Sequence, residues 1–503
     1  MTTLSALVAA HAAARSDEPA YVTAEATTTW RSYDEQASAL AAALVDRGVA
    51  PGDRVAVLLP DGPEVHIAYV AIERAGGVIV GIGPRAGARE AEHLLATTGA
   101  SLLLSTDDSK GVAARAGVPH LECDPAVLDR PARTLVEHPH TTRDLWLLNS
   151  TSGTTGLPKC VMHDQARWFA FHDLAVDAAA LSRDDVFMSV LPAPFGFGIW
   201  TGHVTPTVLG APTVVMRHFD ADECLALIER ERVSVLAAVS TQFVLLLNSA
   251  AVDDHDLSSL RVLFTGGEMV PYVRAAEFED RTGCSVLQFY GSNETGALSR
   301  TTLADDREHR LRTAGRVIPE LHVRLFGDDG TDVTASGGPG VAACKGAVNC
   351  LGYYEDPEAD ERLYTSDGWM LTGDRCTIDA DGYLTVGGRT SDFIIRGGKN
   401  ISAAQVEDEV STHPSVTLAA AVAMPDAVFG ERVCVYLEQR HGTAPISVAE
   451  LRAHLDARGV GKELWPERVE VVDEIPRASG GKIAKGELRD DVRSRLERED
   501  AQS

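Results

Sequence analysis

The stretch 54–59, RVAVLL, is a short apolar run closed off on both sides by turn residues. It reads as a strand buried in a sheet, because nothing polar alternates with its apolar side chains. A helical pattern precedes it at about 32–48, another follows at 64–75, and a second strand is expected at 77–81. Strand patterns recur at 101–104, 146–149, 186–191 and 213–215 with helical spacing between them. Strands separated by helices pair in parallel, because a crossover of that length returns the chain to the same end of the sheet. The chain is therefore expected to be α/β through this region.

The texture changes further on. Around 317–326 and 341–354 the segments become short, alternating and glycine-rich, which suggests a smaller β-rich subdomain. Helices are expected at 406–410, 448–458 and 485–496, and strands at 418–423 and 432–438. The expected architecture is a large α/β N-terminal domain over 1–388, with two layered subdomains plus the β-rich one, and a small mobile α+β domain over 389–503. The polar segment 387–392 is the candidate hinge. A chain of 503 residues is long enough for this, since one core does not grow indefinitely.

Composition narrows the partners. The net charge of -27 repels nucleic acid and anionic membrane, so neither is expected to bind. Any anionic ligand must be held by local donors against the overall field. The 8 cysteines include no C-x-x-C pair and read as the reduced thiols of a cytoplasmic protein. Residues 4–13 are mostly apolar, but no Lys or Arg precedes them, so they read as an amphipathic first helix and not as a signal peptide.

The chemistry is concentrated in a few segments. Residues 150–159 run Ser150, Thr151, Ser152, Gly153, Thr154, Thr155, Gly156, Leu157, Pro158, Lys159 directly after an apolar strand pattern. Glycines let backbone N–H groups approach an anion, the hydroxyls add donors, and Lys159 adds a positive charge. This is a cradle for nucleotide phosphates, although it is not the G-x-x-x-x-G-K-[ST] loop of P-loop enzymes.

The loop resembles the STSGTTGxPKG signature of the ANL adenylate-forming superfamily of AMP-binding enzymes, which includes acyl- and aryl-CoA synthetases, peptide-synthetase adenylation domains and firefly luciferase. Further motifs of that superfamily recur in order: 290–295 (YGSNET), 372–374 (TGD), Gly388 and Arg389 running into 392–400 (DFIIRGGKN), and 476–482 (PRASGGK), with looser matches at 315–316 and 352–354. The resemblance spans about 30 to 490.

The resemblance implies two half-reactions. A carboxylate attacks the α-phosphorus of ATP, giving an acyl-adenylate and pyrophosphate, and a thiol, usually that of coenzyme A, then displaces AMP. It implies that Thr151, Ser152, Gly153, Thr154, Thr155, Gly156 and Lys159 cradle the phosphates and that Glu294 partners Mg²⁺. Tyr290 packs on adenine, with Gly267, Glu268, Gln288, Phe289 and Gly291 in the same nucleotide site. Asp374 and Arg389 hold the ribose. Lys482 bridges the carboxylate and the α-phosphate after the small domain rotates about Ser391. Gly397 and Gly398 leave a passage for the pantetheine arm, and Lys462 and Arg468 are candidate contacts for coenzyme A phosphates. A homodimer is one assembly seen among such enzymes.

The sequence also departs from that pattern. Cys160 stands where Gly follows the loop lysine, Asn293 where a Thr hydroxyl meets the α-phosphate, and Gln288 where Asn or Asp meets adenine. If residue 160 needs a positive φ, a cysteine there is strained. Two alternatives stay open beside a coenzyme A ligase: an enzyme working mainly on a preformed acyl-adenylate, and a stand-alone adenylation enzyme loading a carrier-protein thiol. Phe195 replaces the usual His of an LPxFHxxG segment. Together with Trp200, Phe243 and Gly266 it is expected to wall an apolar acyl pocket suited to an aryl, alicyclic or other bulky acid. The segment 195–200 holds no carboxylate to meet an amino group.

Overall fold

The computed structural model describes residues 2–131, 140–151, 158–267, 270–389, 393–397, 399–426, 428–440, 442–478 and 483–500. The run at 54–59 is the strand Arg54–Leu58, and it lies inside a six-stranded sheet between Leu102–Ser105 and Val78–Gly81. Its side chains Val55 to Leu58 are all buried, as a strand covered on both faces requires. The sheet continues through Leu147–Ser150, parallel to Val78–Gly81, and ends on Cys160–His163, which runs antiparallel to it.

A second, nine-stranded sheet carries Ser285–Ser292, Val262–Gly266, Val235–Ala237, Phe187–Ser189, Thr213–Val214 and Pro19–Val22 in parallel. Antiparallel strands close both of its edges: Gly296–Arg300 and Arg316–Val317 on one side, Thr27–Thr29 on the other. The two sheets thus supply the layered α/β halves expected from the sequence. The expected parallel pairing gives way at the edges: short turns at 23–26 and 293–295 leave no room for a crossover helix, and Arg316–Val317 returns antiparallel to Gly296–Arg300 after the short helix Arg307–Arg312.

Side-chain parity divides the nine-stranded sheet. Phe264, Leu287 and Phe289 belong to the core shared with the six-stranded half, whereas Leu263 and Val286 face the opposite core. That opposite core also takes Phe243, fully buried in helix Ser240–Asn248 with its ring 5.7 Å from Phe278. The expectation that Phe243 lines an acyl pocket is therefore corrected. It packs on the far side of the sheet from Trp200, because its helix covers that face.

The β-rich region is a four-stranded antiparallel sheet of His322–Phe326, Gly340–Lys345, Met370–Ile378 and Leu384–Arg389. Beyond it, Phe393–Arg396 pairs with Lys399–Ser402 in a separate sheet built on the long hairpin Val416–Asp426 and Gly430–Gln439, with Arg468–Val471 added in parallel. The helices Ala403–Val410, Val448–Ala457 and Lys485–Asp500 complete this small C-terminal unit. Residues 390–392, including the expected hinge Ser391, lie outside the described residues. The small unit rests on the large one through Arg274, whose Nη2 donates to the Val416 carbonyl at 3.2 Å. No described helix is long and apolar enough to cross a membrane.

Cys160 occupies the first position of strand Cys160–His163, opposite Ser150, and is 2% exposed. The described non-glycine residues with positive φ are Ala180, Arg232 and Glu355, so the strain expected at Cys160 is absent. Its side chain belongs to the apolar core cluster that also holds Leu148 and Val80. Cys160→Gly should therefore destabilise the protein by about 1–2 kcal/mol, through lost burial and a looser strand, when chemical unfolding is measured. Phe243→Ala should cost about 3–5 kcal/mol in the same measurement while leaving the preference among acids unchanged.

Candidate active site

The phosphate-loop segment is a hairpin. Strands Leu147–Ser150 and Cys160–His163 pair up to Ser150 opposite Cys160, and the Thr151 N–H then donates to the Lys159 carbonyl at 3.0 Å. Thr151 Oγ1 accepts from the Lys159 N–H at 3.3 Å. The nitrogen His93 Nε2 meets the Pro158 carbonyl at 3.2 Å, tethering the far side of the hairpin to helix Ala88–Thr98. Ser152, Gly153, Thr154, Thr155 and Gly156 lie outside the described residues. The hairpin leaves the carboxyl end of a parallel strand, where open α/β sheets bind ligands.

The second sheet meets the first at the same place. The Asn149 and Asn293 carboxamides bond each other reciprocally: Asn149 Nδ2 donates to Asn293 Oδ1 at 3.1 Å, and Asn293 Nδ2 donates to Asn149 Oδ1 at 2.6 Å. Asn149 Nδ2 also donates to the Pro194 carbonyl at 3.2 Å, so the segment bearing Phe195 joins them. Behind this pair stands Arg167, 2% exposed on helix Gln165–Ala179. Its Nη2 donates to the Asn293 carbonyl at 2.7 Å, its Nε to the Val348 carbonyl, and its Nη1 to His163 Nδ1. Because arginine only donates, His163 Nδ1 must accept. The imidazole proton is then on Nε2, which donates to Asn149 Oδ1 at 2.7 Å. Burial, reinforced by Arg167, holds the His163 imidazole well below its ordinary pKa and therefore neutral. Burial lowers Arg167 to about 10, which leaves it charged at neutral pH.

Asn293 is thus brought to the site, but its amide is committed to Asn149. Glu294, next in the chain, accepts from the Tyr353 hydroxyl at 2.8 Å through Oε1, and its backbone carbonyl accepts from Cys350 N at 2.7 Å. Burial, then the Glu294 carboxylate, pushes the Tyr353 hydroxyl far above the ordinary phenol range and keeps it a donor. The Lys159 Nζ lies 4.8 Å from the centroid of the same ring. Tyr353 therefore touches both expected phosphate-side groups.

On the expected nucleoside side, the Tyr290 hydroxyl donates to Asp374 Oδ2 at 2.9 Å. Asp374 lies opposite Arg389 in the strand register, so the two expected ribose residues are neighbours; the Arg389 side chain lies outside the described residues. Gly291 is required by packing, since a Cβ there would stand 1.6 Å from the Gly296 carbonyl oxygen. Gly266 ends strand Val262–Gly266 with a hypothetical Cβ 2.3 Å from the Phe289 carbonyl oxygen, and Gly267 follows with a φ of 79°. Glu268 lies outside the described residues.

Two expected nucleotide residues are corrected. Gln288 Nε2 donates to the Arg310 carbonyl at 2.7 Å, which turns the amide toward helix Arg307–Arg312. Phe289 sits on the other face of its strand, 5% exposed, with its ring 4.9 Å from Trp200. It belongs to an aromatic bed with Phe171, Phe197, Trp200 and Phe264. Trp200 is 1% exposed at the centre of that bed, while Phe195 caps the short helix Gly196–Ile199 and is half-buried. A Cβ at Gly196 would stand 3.0 Å from Asn293 Oδ1, so this segment abuts the amide pair.

On the small unit, Gly397 turns with a φ of 58° and bonds the Phe429 carbonyl. Gly398 and Lys482 lie outside the described residues. Lys462 is exposed with its Nζ 5.6 Å from the Trp465 ring. Arg468 is corrected as a phosphate contact: Glu470 and Glu499 hold its guanidinium at 2.6 and 2.7 Å, so its charge is already compensated. Sequence reading passed over Tyr353, Arg167, His163 and Asn149 as site-builders. Tyr353 lay within the noted stretch 352–354 and Asn149 directly precedes the loop, but Arg167 looks like any residue of an amphipathic helix.

A family model described as AMP-binding enzyme matches residues 8–354, and one described as AMP-binding enzyme C-terminal domain matches residues 405–482. A feruloyl-CoA synthase from Amycolatopsis sp is 35% identical over 474 residues, covering 92% of this chain and 93% of that protein. A 2,3-dihydroxybenzoate-AMP ligase from Bacillus subtilis (strain 168) is 29% identical over 486 residues, covering 93% of this chain and 89% of that protein. The crystal structure of an anthranilate CoA ligase in complex with anthranoyl-AMP superposes with a TM-score of 0.90 at 24% identity, covering 98% of each chain, which shows a shared fold. The two sheets meeting at a phosphate-type hairpin, with a small α+β unit beyond them, are accordingly the framework of a known family: this chain belongs to the AMP-binding enzymes.

Proposed function

We propose that this protein joins a bulky apolar carboxylic acid, aryl or alicyclic, to ATP as an acyl-adenylate and passes the acyl group to coenzyme A. One observation carries the reading. Lys159 and Glu294 meet on Tyr353, Tyr290 of the strand leading to Asn293 bonds Asp374, and the segment abutting Asn293 leads into an aromatic bed centred on Trp200. An apolar bed beside a polar nucleotide site suits an acid whose carboxylate must face phosphate while its body is desolvated.

In the first half-reaction a carboxylate oxygen of the acid bonds to the α-phosphorus and the bond to pyrophosphate breaks. Lys159 and the hairpin hydroxyls stabilise the charge that builds on the phosphate oxygens. Glu294 fits Mg²⁺: it offers one carboxylate, with Tyr353 on a single oxygen, and the described residues contain no group of three or more acidic, His or Cys side chains placed to hold a metal ion. One protein carboxylate plus phosphate oxygens and water is the usual environment of that ion, which supplies neutralisation of phosphate charge when bound. Residues 1–388 serve as the body and 389–503 as the moving part. Rotation near Ser391 exchanges Lys482 for Gly397 and Gly398 at the site and breaks the Arg274–Val416 contact. The coenzyme A thiol then adds to the acyl carbonyl and AMP leaves.

A second reading replaces coenzyme A by a carrier-protein thiol. Both a CoA synthase and an AMP ligase stand among the relatives, and this supports keeping the two acceptors apart by assay. Action mainly on a preformed adenylate has lost one of its three supports, because Cys160 sits unstrained in a strand. Pyrophosphate exchange should respond to aromatic and alicyclic acids and not to acetate or free amino acids. Thioester formation from synthetic adenylate without any exchange would establish the preformed-adenylate reading instead. Lys482→Ala should slow exchange by about 10²–10³-fold while retaining transfer from a supplied adenylate. Equal loss in both steps would remove Lys482 from the first half-reaction.

A further inference from the structure

The Lys159 ammonium and the Glu294 carboxylate are opposite charges brought to one small region of a chain whose net charge is -27. Left to themselves, such groups pair, and a paired lysine has little attraction left for a phosphate. In this structure they do not pair with each other. The ammonium rests on the face of Tyr353, 4.8 Å from its centroid, and the carboxylate takes the hydroxyl of the same residue at 2.8 Å. One side chain engages both charges through two different parts.

The ring is firmly placed. Tyr353 is 9% exposed and packs in an apolar cluster with Val161, Cys350, Leu363 and Met370. Its backbone N–H donates to Asp360 Oδ1 at 2.8 Å, and Tyr353 bridges Val161 on the outer edge of the hairpin's second strand. On either side of that bridge the Leu351 N–H donates to the Met162 carbonyl and the Tyr354 N–H to the Cys160 carbonyl. The segment 351–354 is thus stitched to the strand that carries Lys159 into the hairpin, so ring and lysine are held by one piece of backbone. Glu294 is fixed from behind by Arg167 on the Asn293 carbonyl and by Cys350 on its own.

We propose that Tyr353 is a positioning residue that keeps Lys159 and Glu294 from neutralising each other, so that the lysine remains available to nucleotide phosphate and the carboxylate to the accompanying cation. The inference rests on the nucleotide reading of this site. The physical basis is the asymmetry of the two contacts. An aromatic face attracts an ammonium without cancelling its charge, and a phosphate outcompetes it. A hydroxyl donor occupies one carboxylate oxygen and leaves the group ionised with its other oxygen to offer.

The test is ATP binding to the full-length protein in chelator-treated, metal-free buffer, measured by titration calorimetry. Tyr353→Leu removes both contacts, and its affinity should fall about tenfold as Lys159 and Glu294 pair. Adding Glu294→Gln to that variant removes the competing charge and should return the affinity to within about threefold of wild type. Tyr353→Phe keeps the ring under the lysine and should lose less than about threefold in metal-free binding, while raising the magnesium concentration needed for pyrophosphate exchange by about threefold or more. Wild-type affinity in Tyr353→Leu, or no recovery on adding Glu294→Gln, overturns the inference and leaves the nucleotide site standing. If the melting curve shows that the leucine variant is unfolded, Tyr353→Phe decides: unchanged magnesium dependence overturns the inference. Failure of the wild-type protein to bind ATP removes both the nucleotide reading and the inference built on it.

Discussion

Two carboxamides, one from each sheet, lie against each other where the strands end. Asn149 is the penultimate residue of a strand of the six-stranded sheet, Asn293 follows a strand of the nine-stranded sheet, and each amide donates to and accepts from the other. Such a pair is stable only when the remaining polar atoms are also satisfied, because an unmet buried amide costs more than a met one contributes. Pro194, His163 and Arg167 complete the set. Arg167 is the expensive member, a buried cation whose hydrogen bonds go to two carbonyls and a neutral imidazole. What it provides is geometry. It ties helix Gln165–Ala179 to the turn bearing Glu294 and to the Val348 carbonyl, so sheets that share no strand meet in one register.

The site follows from that junction. Loops at the carboxyl ends of both sheets face the same space, and the phosphate-type hairpin, Glu294 and the Phe195 segment arise from it without long excursions. The acidic surface makes local design matter: an anion approaching this protein is met by net repulsion until it reaches Lys159 and the hairpin. Cations engaged elsewhere give little help, as Arg468 between Glu470 and Glu499 illustrates.

The aromatic bed shows how a one-residue step along a strand separates functions. Phe289 and Tyr290 are adjacent, yet the first packs with Trp200 and the second bonds Asp374. Successive side chains on a strand point to opposite faces, so one strand can serve the expected acid side and the expected nucleoside side together. The same rule puts Phe243, carried by a helix over the opposite face, out of reach of Trp200.

Much of this was legible in the residues. Buried apolar runs such as Arg54–Leu58 between helical patterns led to layered α/β sheets, and the Gly- and Thr-rich loop with its ordered companion motifs led to the family. These are local signals, written in contiguous residues, and local signals survive without a structure. Other features depend on which segments the fold brings together. Gln288 and Phe289 stand in the right motif, but strand parity turned Phe289 into the aromatic bed, and the Arg310 carbonyl of the neighbouring helix took the Gln288 amide. Cys160 looked strained beside the loop until its place in a paired strand showed ordinary extended backbone. Tyr353, 194 positions beyond Lys159, and Arg167, 126 before Asn293, carry no mark in the sequence of the charges they hold. The sequence by itself determined the fold class and the family, because periodicity and motif spacing are properties of the chain. Only the tertiary structure decided which charges are kept apart and which amides are spent, because those depend on distances between residues far apart along it.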